Sequence, residues 1–172
     1  KPVALREYAG YLWVIAAGAS EGENGYLHRI DPATTDSLQS VEIDRPNGVV
    51  VDDDNRVWVT HGDNLLQEYD LDLNPVNDPI PVGQMPDEVV FTEGYIWTAD
   101  RRSASVSRVD RDSREVQPVP VGGNPAGLRA DGNRLWVVDT ADASESGEGR
   151  LVLVDTDAMA QVTDIGVGRR PL

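Results

Sequence analysis

The chain contains two histidines, His28 and His61, and no cysteine. Thiol nucleophiles and cysteine-bound zinc are therefore excluded, and general-base chemistry would have to run through one of these two imidazoles or a carboxylate. A lone histidine is far from a catalytic set. The other groups able to do chemistry are the carboxylates Asp100 and Asp139 and the arginines Arg45, Arg101, Arg102, Arg169 and Arg170. Arginines gathered on one surface can grip carboxylates, phosphates or sulfates through paired N–H donors. They can also pair with the many acids around them, which is the plainer reading. Glu21, Glu23, Asp142, Glu145 and Glu148 offer oxygens to a cation, but their spacing follows no calcium-loop pattern. Phosphate-loop, dinucleotide and serine-hydrolase signatures are absent. No catalytic set, metal or cofactor is expected.

The elements that position these residues come from an internal repeat. All four tryptophans, Trp13, Trp58, Trp97 and Trp136, share one context, as in Arg56-Val57-Trp58-Val59 and Arg134-Leu135-Trp136-Val137, and their spacings are 45, 39 and 39 residues. A proline precedes each by 11 or 12 positions: Pro2, Pro46, Pro86 and Pro125. Between proline and tryptophan lie a short apolar run and a turn such as Ala9-Gly10 or Asp131-Gly132-Asn133. A third run then ends in Asp31, Asp70, Asp110 or Asp155, a turn former, and a fourth closes the unit.

Short β-branched runs with Gly, Asp, Asn and Pro punctuation predict four strands per copy and no helix. Pro79, Pro81, Pro118 and Pro120 in the fourth run fit an outermost strand, where a missing N–H costs least. A repeated four-stranded antiparallel unit of about 40 residues is the sequence form of a propeller blade. The expected fold is an all-β propeller of four-stranded antiparallel blades, with four repeats at approximately 2–45, 46–85, 86–124 and 125–170. The tryptophans are expected to pack between neighbouring blades.

In such a blade the loop leading into strand one and the loop joining strands two and three share a rim. That rim should collect Ala16, His61, Asp100 and Asp139 just past each tryptophan strand. It should also collect Arg101, Arg102, and Arg45, Arg169 and Arg170 from the loops leading into strand one. The two-to-three loop varies most in length: from tryptophan to the strand-three aspartate there are 18, 12, 13 and 19 residues. Variable loops on a fixed scaffold suit binding, and the Ser, Gly and Glu content of residues 18–25 and 140–149 suits plain connectors equally well. His28 falls in a third strand, as a surface or packing residue.

Thirty acids against fifteen basic residues give a net charge of −15, with Lys1 the only lysine. That field repels a phosphate backbone, so nucleic acid is excluded as a partner. No apolar run approaches the ~20 residues that cross a bilayer, and Lys1 leads into repeat sequence without a signal-peptide pattern.

The run from Pro46-Asn47-Gly48-Val49 to Trp58-Val59-Thr60 and the run from Pro125-Ala126-Gly127-Leu128 to Trp136-Val137-Val138 resemble the YVTN/NHL superfamily of propellers. Virginiamycin B lyase-like repeats are the nearest in pattern, and Arg29-Ile30-Asp31-Pro32-Ala33-Thr34 resembles their usual strand-three ending. Similar repeats occur in extracellular sensor regions of actinobacterial receptor kinases and in secreted or periplasmic binding proteins, which implies an extracellular or periplasmic location. The resemblance covers the whole chain and implies fold more than function. A lyase of this type would use a histidine base, an acid and magnesium; His61 is well placed, but no partner histidine matches. The expected function is a non-catalytic sensor or scaffold module offering its rim to a protein, peptide or small ligand. The alternatives are a lyase whose remaining residues lie on further blades, and a truncated or engineered propeller that assembles into a ring.

Four blades would leave an apolar face at each end. Three arrangements are open: part of a six- to eight-bladed propeller, which is favoured, a homodimer in which two copies complete one ring, or a closed four-bladed ring.

Overall fold

The computed structural model describes residues 1–20, 22–140 and 148–169, and of Ser37 and Arg169 the backbone only. Glu21, Asp142, Glu145, Arg170 and Pro171 lie outside the described residues.

Among the described residues sixteen strands form four antiparallel sheets, each contiguous in sequence. Sheet one holds β1 (Pro2–Tyr8), β2 (Tyr11–Ala16), β3 (Gly25–Ile30) and β4 (Ser37–Ile43). Sheet two holds β5 (Val49–Val51), β6 (Val57–His61), β7 (Leu65–Tyr69) and β8 (Ile80–Pro81). Sheet three holds β9 (Pro86–Thr92), β10 (Tyr95–Asp100), β11 (Ser105–Asp110) and β12 (Val116–Pro120). Sheet four holds β13 (Pro125–Asp131), β14 (Arg134–Asp139), β15 (Glu148–Asp155) and β16 (Ala160–Arg169). In each, the strands lie side by side in chain order. The chain divides into two compact units, Lys1–Pro81 with sheets one and two and Val82–Leu172 with sheets three and four.

The prolines sit where a missing N–H is tolerated: Pro81 on β8 and Pro118 and Pro120 on β12, both edge strands. The strand-three aspartates make the turns. The Oδ1 atoms of Asp70, Asp110 and Asp155 each accept two following backbone N–H groups, and that of Asp31 accepts from Ala33 N. One departure from the all-strand reading is a short 3₁₀ turn, Arg101–Ser103, ended by Ala104 at φ 52°. It forms because Arg101 N–H and Arg102 N–H turn back to the carbonyls of Met85 and Gln84, at 3.1 Å each.

Within each unit the core is a joint between two sheets. Trp13, Ile15, Leu27 and Ile43 of sheet one pack on Val49, Val51, Val57 and Val59 of sheet two. Trp97, Val106 and Val119 of sheet three pack on Leu128, Leu135 and Val137 of sheet four. Trp13 and Trp97 therefore pack between adjacent sheets as expected, and their indole N–H groups reach Tyr8 O and Thr92 Oγ1. Trp58 is fully buried and donates to Asp52 Oδ2 at 2.9 Å. Trp136, by contrast, is only half-buried. Truncation should separate the two cases. Trp97→Ala is expected to lower the unfolding free energy by about 3–5 kcal/mol, and Trp136→Ala by less than half as much, read by urea titration followed by circular dichroism.

Candidate functional site

The residue three places past each tryptophan closes the second strand: Ala16, His61, Asp100 and Asp139. Asp100 and Asp139 each meet the loop leading into strand one of their own sheet.

In sheet three the Asp100 carboxylate is fully buried. It accepts hydrogen bonds from Thr98 Oγ1 at 2.7 Å and Ser107 Oγ at 2.5 Å. The backbone N–H of Gly83 also bonds to it. A Cβ at Gly83 would lie 2.5 Å from this carboxylate, so only glycine lets the linker lie over it. Burial pushes the carboxyl up to about 6, against the pull of Ser107, Thr98 and Gly83.

Sheet four repeats the device with a cation. Asp139 is buried; its Oδ1 accepts Asn124 N–H at 2.7 Å, and its Oδ2 accepts Arg150 Nε and Nη2 at 2.9 and 2.6 Å. Gly123, at φ 59°, lies so close that a Cβ there would be 2.1 Å from Oδ2. In sheet two the role passes one residue back, where Thr60 Oγ1 accepts Gly48 N–H at 2.8 Å.

That shift frees His61. The residue is 9% exposed, no hydrogen bond of good geometry reaches either ring nitrogen among the described residues, and burial lowers its pKa while Asp44 pulls it up. Beside it, Arg45 at φ 42° grips both oxygens of Asp44 at 2.9 and 3.2 Å and reaches Asp63 Oδ1 at 2.7 Å. The Arg45 hydrogen bond holds the Asp44 carboxyl below its usual value, and Arg45 itself is held firmly charged.

On the other unit, Arg101 pairs with Asp87, whose carboxyl burial pushes up against the opposing pull of that arginine. Arg102 is exposed on the 3₁₀ turn. The backbone of Arg169 pairs with Glu148 at the end of β16. The structure thus brings Arg45 and His61 together on the first unit and places Asp100, Arg101 and Arg102 in succession on the second. Asp139 is joined to Arg150. His28 stacks on Tyr26 at 5.8 Å, as a surface or packing residue would.

Among the described residues no three His, Asp or Glu side chains converge as metal ligands. A groove of about 450 Å³ opens at the turn end of sheets three and four, lined by Glu93, Tyr95, Arg108, Asn133 and Asp157. Arg108 lies over the Tyr95 ring at 4.3 Å there. The sequence signals these residues only as turn and strand-end positions.

No family model matches the chain, and no curated protein matches it. Its backbone is nonetheless similar to many solved structures. Hydrazine synthase of Kuenenia stuttgartiensis matches at TM-score 0.81 and 14% identity, over 97% of this chain and 49% of that one. The WD40 repeats of RRP9 match at 0.73 and 10% identity, over 95% and 48%. BamB of Moraxella catarrhalis matches at 0.64 and 12%, over 94% and 47%. The chain has the β-propeller fold, and its sheets are blades. It spans about half the length of these three structures.

Two measurements test the buried carboxylates. Asp100 titrates near 6 folded and near 3.9 unfolded, so the native state binds the extra proton between those values. Its contribution to stability is full below the unfolded value and is lost as pH rises through 6. The stability of wild type relative to Asp100→Asn should accordingly fall by about 2 kcal/mol from pH 4 to pH 7, measured by urea unfolding across that range. Gly123→Ala should cost about 3 kcal/mol through strain and overlap with Asp139, and only about 1 kcal/mol in an Asp139→Ala background, where the strain alone remains.

Proposed function

We propose that the chain is a non-catalytic binding module that offers the rim at the ends of its tryptophan strands to a protein or peptide segment. The observation that carries this reading is the inward turn of Asp100 and Asp139, whose carboxylates hold the linkers of their own unit. What remains at the surface is a set of mixed charges: Asp44, Arg45 and Asp63 on one unit, and Arg101 and Arg102 on the other. Paired charges of both signs on rigid turns suit hydrogen bonding to a polypeptide. A lyase would ask His61 to stand beside two carboxylates or a metal in an open pocket. Its ring is buried instead, with Asp44 the carboxylate that acts on it. The finer likeness to YVTN/NHL repeats rests on the motifs around Trp58 and Trp136.

Panning a library of random twelve-residue peptides on the immobilised chain tests the reading. Each selected peptide should bind about ten-fold more weakly either to Arg45→Glu on the first unit or to Arg102→Glu on the second, and unchanged to Asn133→Ala at the opposite end of the second unit's sheets. Binders that ignore both arginine reversals, or a library that yields none, would overturn it.

A further inference from the structure

Each unit builds the joint between its two blades from matching side chains, and the two joints have settled differently. By register, Arg29 lies across from Trp13 and Gln39, and Arg108 across from Trp97 and Gln117. Tyr11 and Tyr95 each stand two residues before those tryptophans, and each has the arginine over its ring, at 5.1 and 4.3 Å. On the facing blade, the turn after the third strand starts at Asp70 in the first unit and at Asp155 in the second. Two residues on, Asp72 and Asp157 hold the same place, each giving its N–H to that turn aspartate.

In the first unit the arginine crosses the joint. Arg29 Nη1 donates to Leu71 O and lies 3.5 Å from Asp72 Oδ1. Among the described residues Gln39 Oε1 is left buried without a partner. In the second unit the arginine stays on its own blade, where Arg108 Nη2 donates to Gln117 Oε1. Thr156 and Asp157, at the positions of Leu71 and Asp72, then line the open groove of about 450 Å³. Glu93 lines it too, where the first unit has Ala9. Asp157 and Glu93 are exposed, and among the described residues neither has an ion-pair partner. Two carboxylates and one guanidinium, itself turned to a neutral amide, leave the groove one negative charge in excess.

We propose that this groove binds an alkylguanidinium cation, which takes at Asp157 the place that Arg29 takes at Asp72. Two exposed acids alone would be an ordinary solvated surface. What sets these apart is that the matching turn in the first unit already holds a guanidinium, through a backbone carbonyl and a carboxylate together. A planar cation with several N–H donors suits that pair of acceptors. A bare metal ion suits it less, since among the described residues no three His, Asp or Glu side chains converge. Arg108 is then the site's own competitor. By pivoting over Tyr95 from Gln117 toward Asp157 it would close the groove, and the arrangement around Arg29 is that closed form. The groove lies at the other end of the tryptophan strands from the rim, so it does not depend on the peptide reading.

Titration of the isotope-labelled 172-residue chain with butylguanidinium, followed through the backbone amide resonances of Asn133, Thr156 and Asp157, tests this. Saturable shifts at these three residues are expected, with a Kd of about 1 mM. Asp157→Asn should weaken binding about ten-fold. Arg108→Gln, which removes the competitor, should tighten it about three-fold. Asp72→Asn, in the joint already bridged, should leave it unchanged. Asp157 is exposed, so its variant should keep the wild-type circular dichroism. Sodium chloride or sodium acetate at the same concentrations should produce none of these shifts. Shifts that do not saturate, that survive Asp157→Asn, that weaken with Arg108→Gln or that either salt reproduces would overturn the proposal.

Discussion

A four-stranded antiparallel sheet buries nothing on its own, and in this chain everything follows from how one sheet covers the next. The indole on a second strand is the largest side chain at the joint. It needs a flat, branched surface opposite, which valine and leucine supply at alternate positions of the following sheet's first two strands. A strand slipped by one residue would turn the indole to the wrong side and bring polar residues into the joint. Register, turn type and strand length are thus all subordinate to keeping that one contact in place.

The second constraint is the linker between sheets, whose backbone N–H groups would be orphaned as it crosses the strand ends. Among the described residues three solutions occur: Asp100 with Thr98 and Ser107, Asp139 with Arg150, and the hydroxyl of Thr60. The charged versions are costly to bury, so one carboxyl has its pKa raised and the other is paired with a guanidinium. With those carboxylates turned inward, Arg45, Asp44, Asp63 and Arg102 are among the charges left at the surface.

The repeat was legible in the residues because the joint demands the same large side chain at the same register each time, so tryptophan spacing alone marked out four sheets. The edge prolines and turn aspartates were legible for the same kind of reason, each having one backbone position that suits it. The inward direction of Asp100 and Asp139 was not. Their place at the strand end reads as surface, and the signal that contradicts it, Gly83 and Gly123, looks like ordinary turn glycine until the carboxylate is seen lying over it. The burial of His61 was equally hidden, since it depends on Thr60 having taken over the linker. The difference between Trp97 and Trp136 lies in what covers them, which no local pattern records.

The clamp between Gly123 and Asp139 has a bearing on how such repeats can be exchanged. The glycine belongs to the connection ahead of β13, while the carboxylate that requires it arrives with β14. A segment transplanted from the first residue of β13 would carry the aspartate without its glycine and meet whatever side chain the recipient linker happened to have. The unit of sheet four that folds without conflict therefore starts in the Pro-Val-Gly linker and not at the first strand.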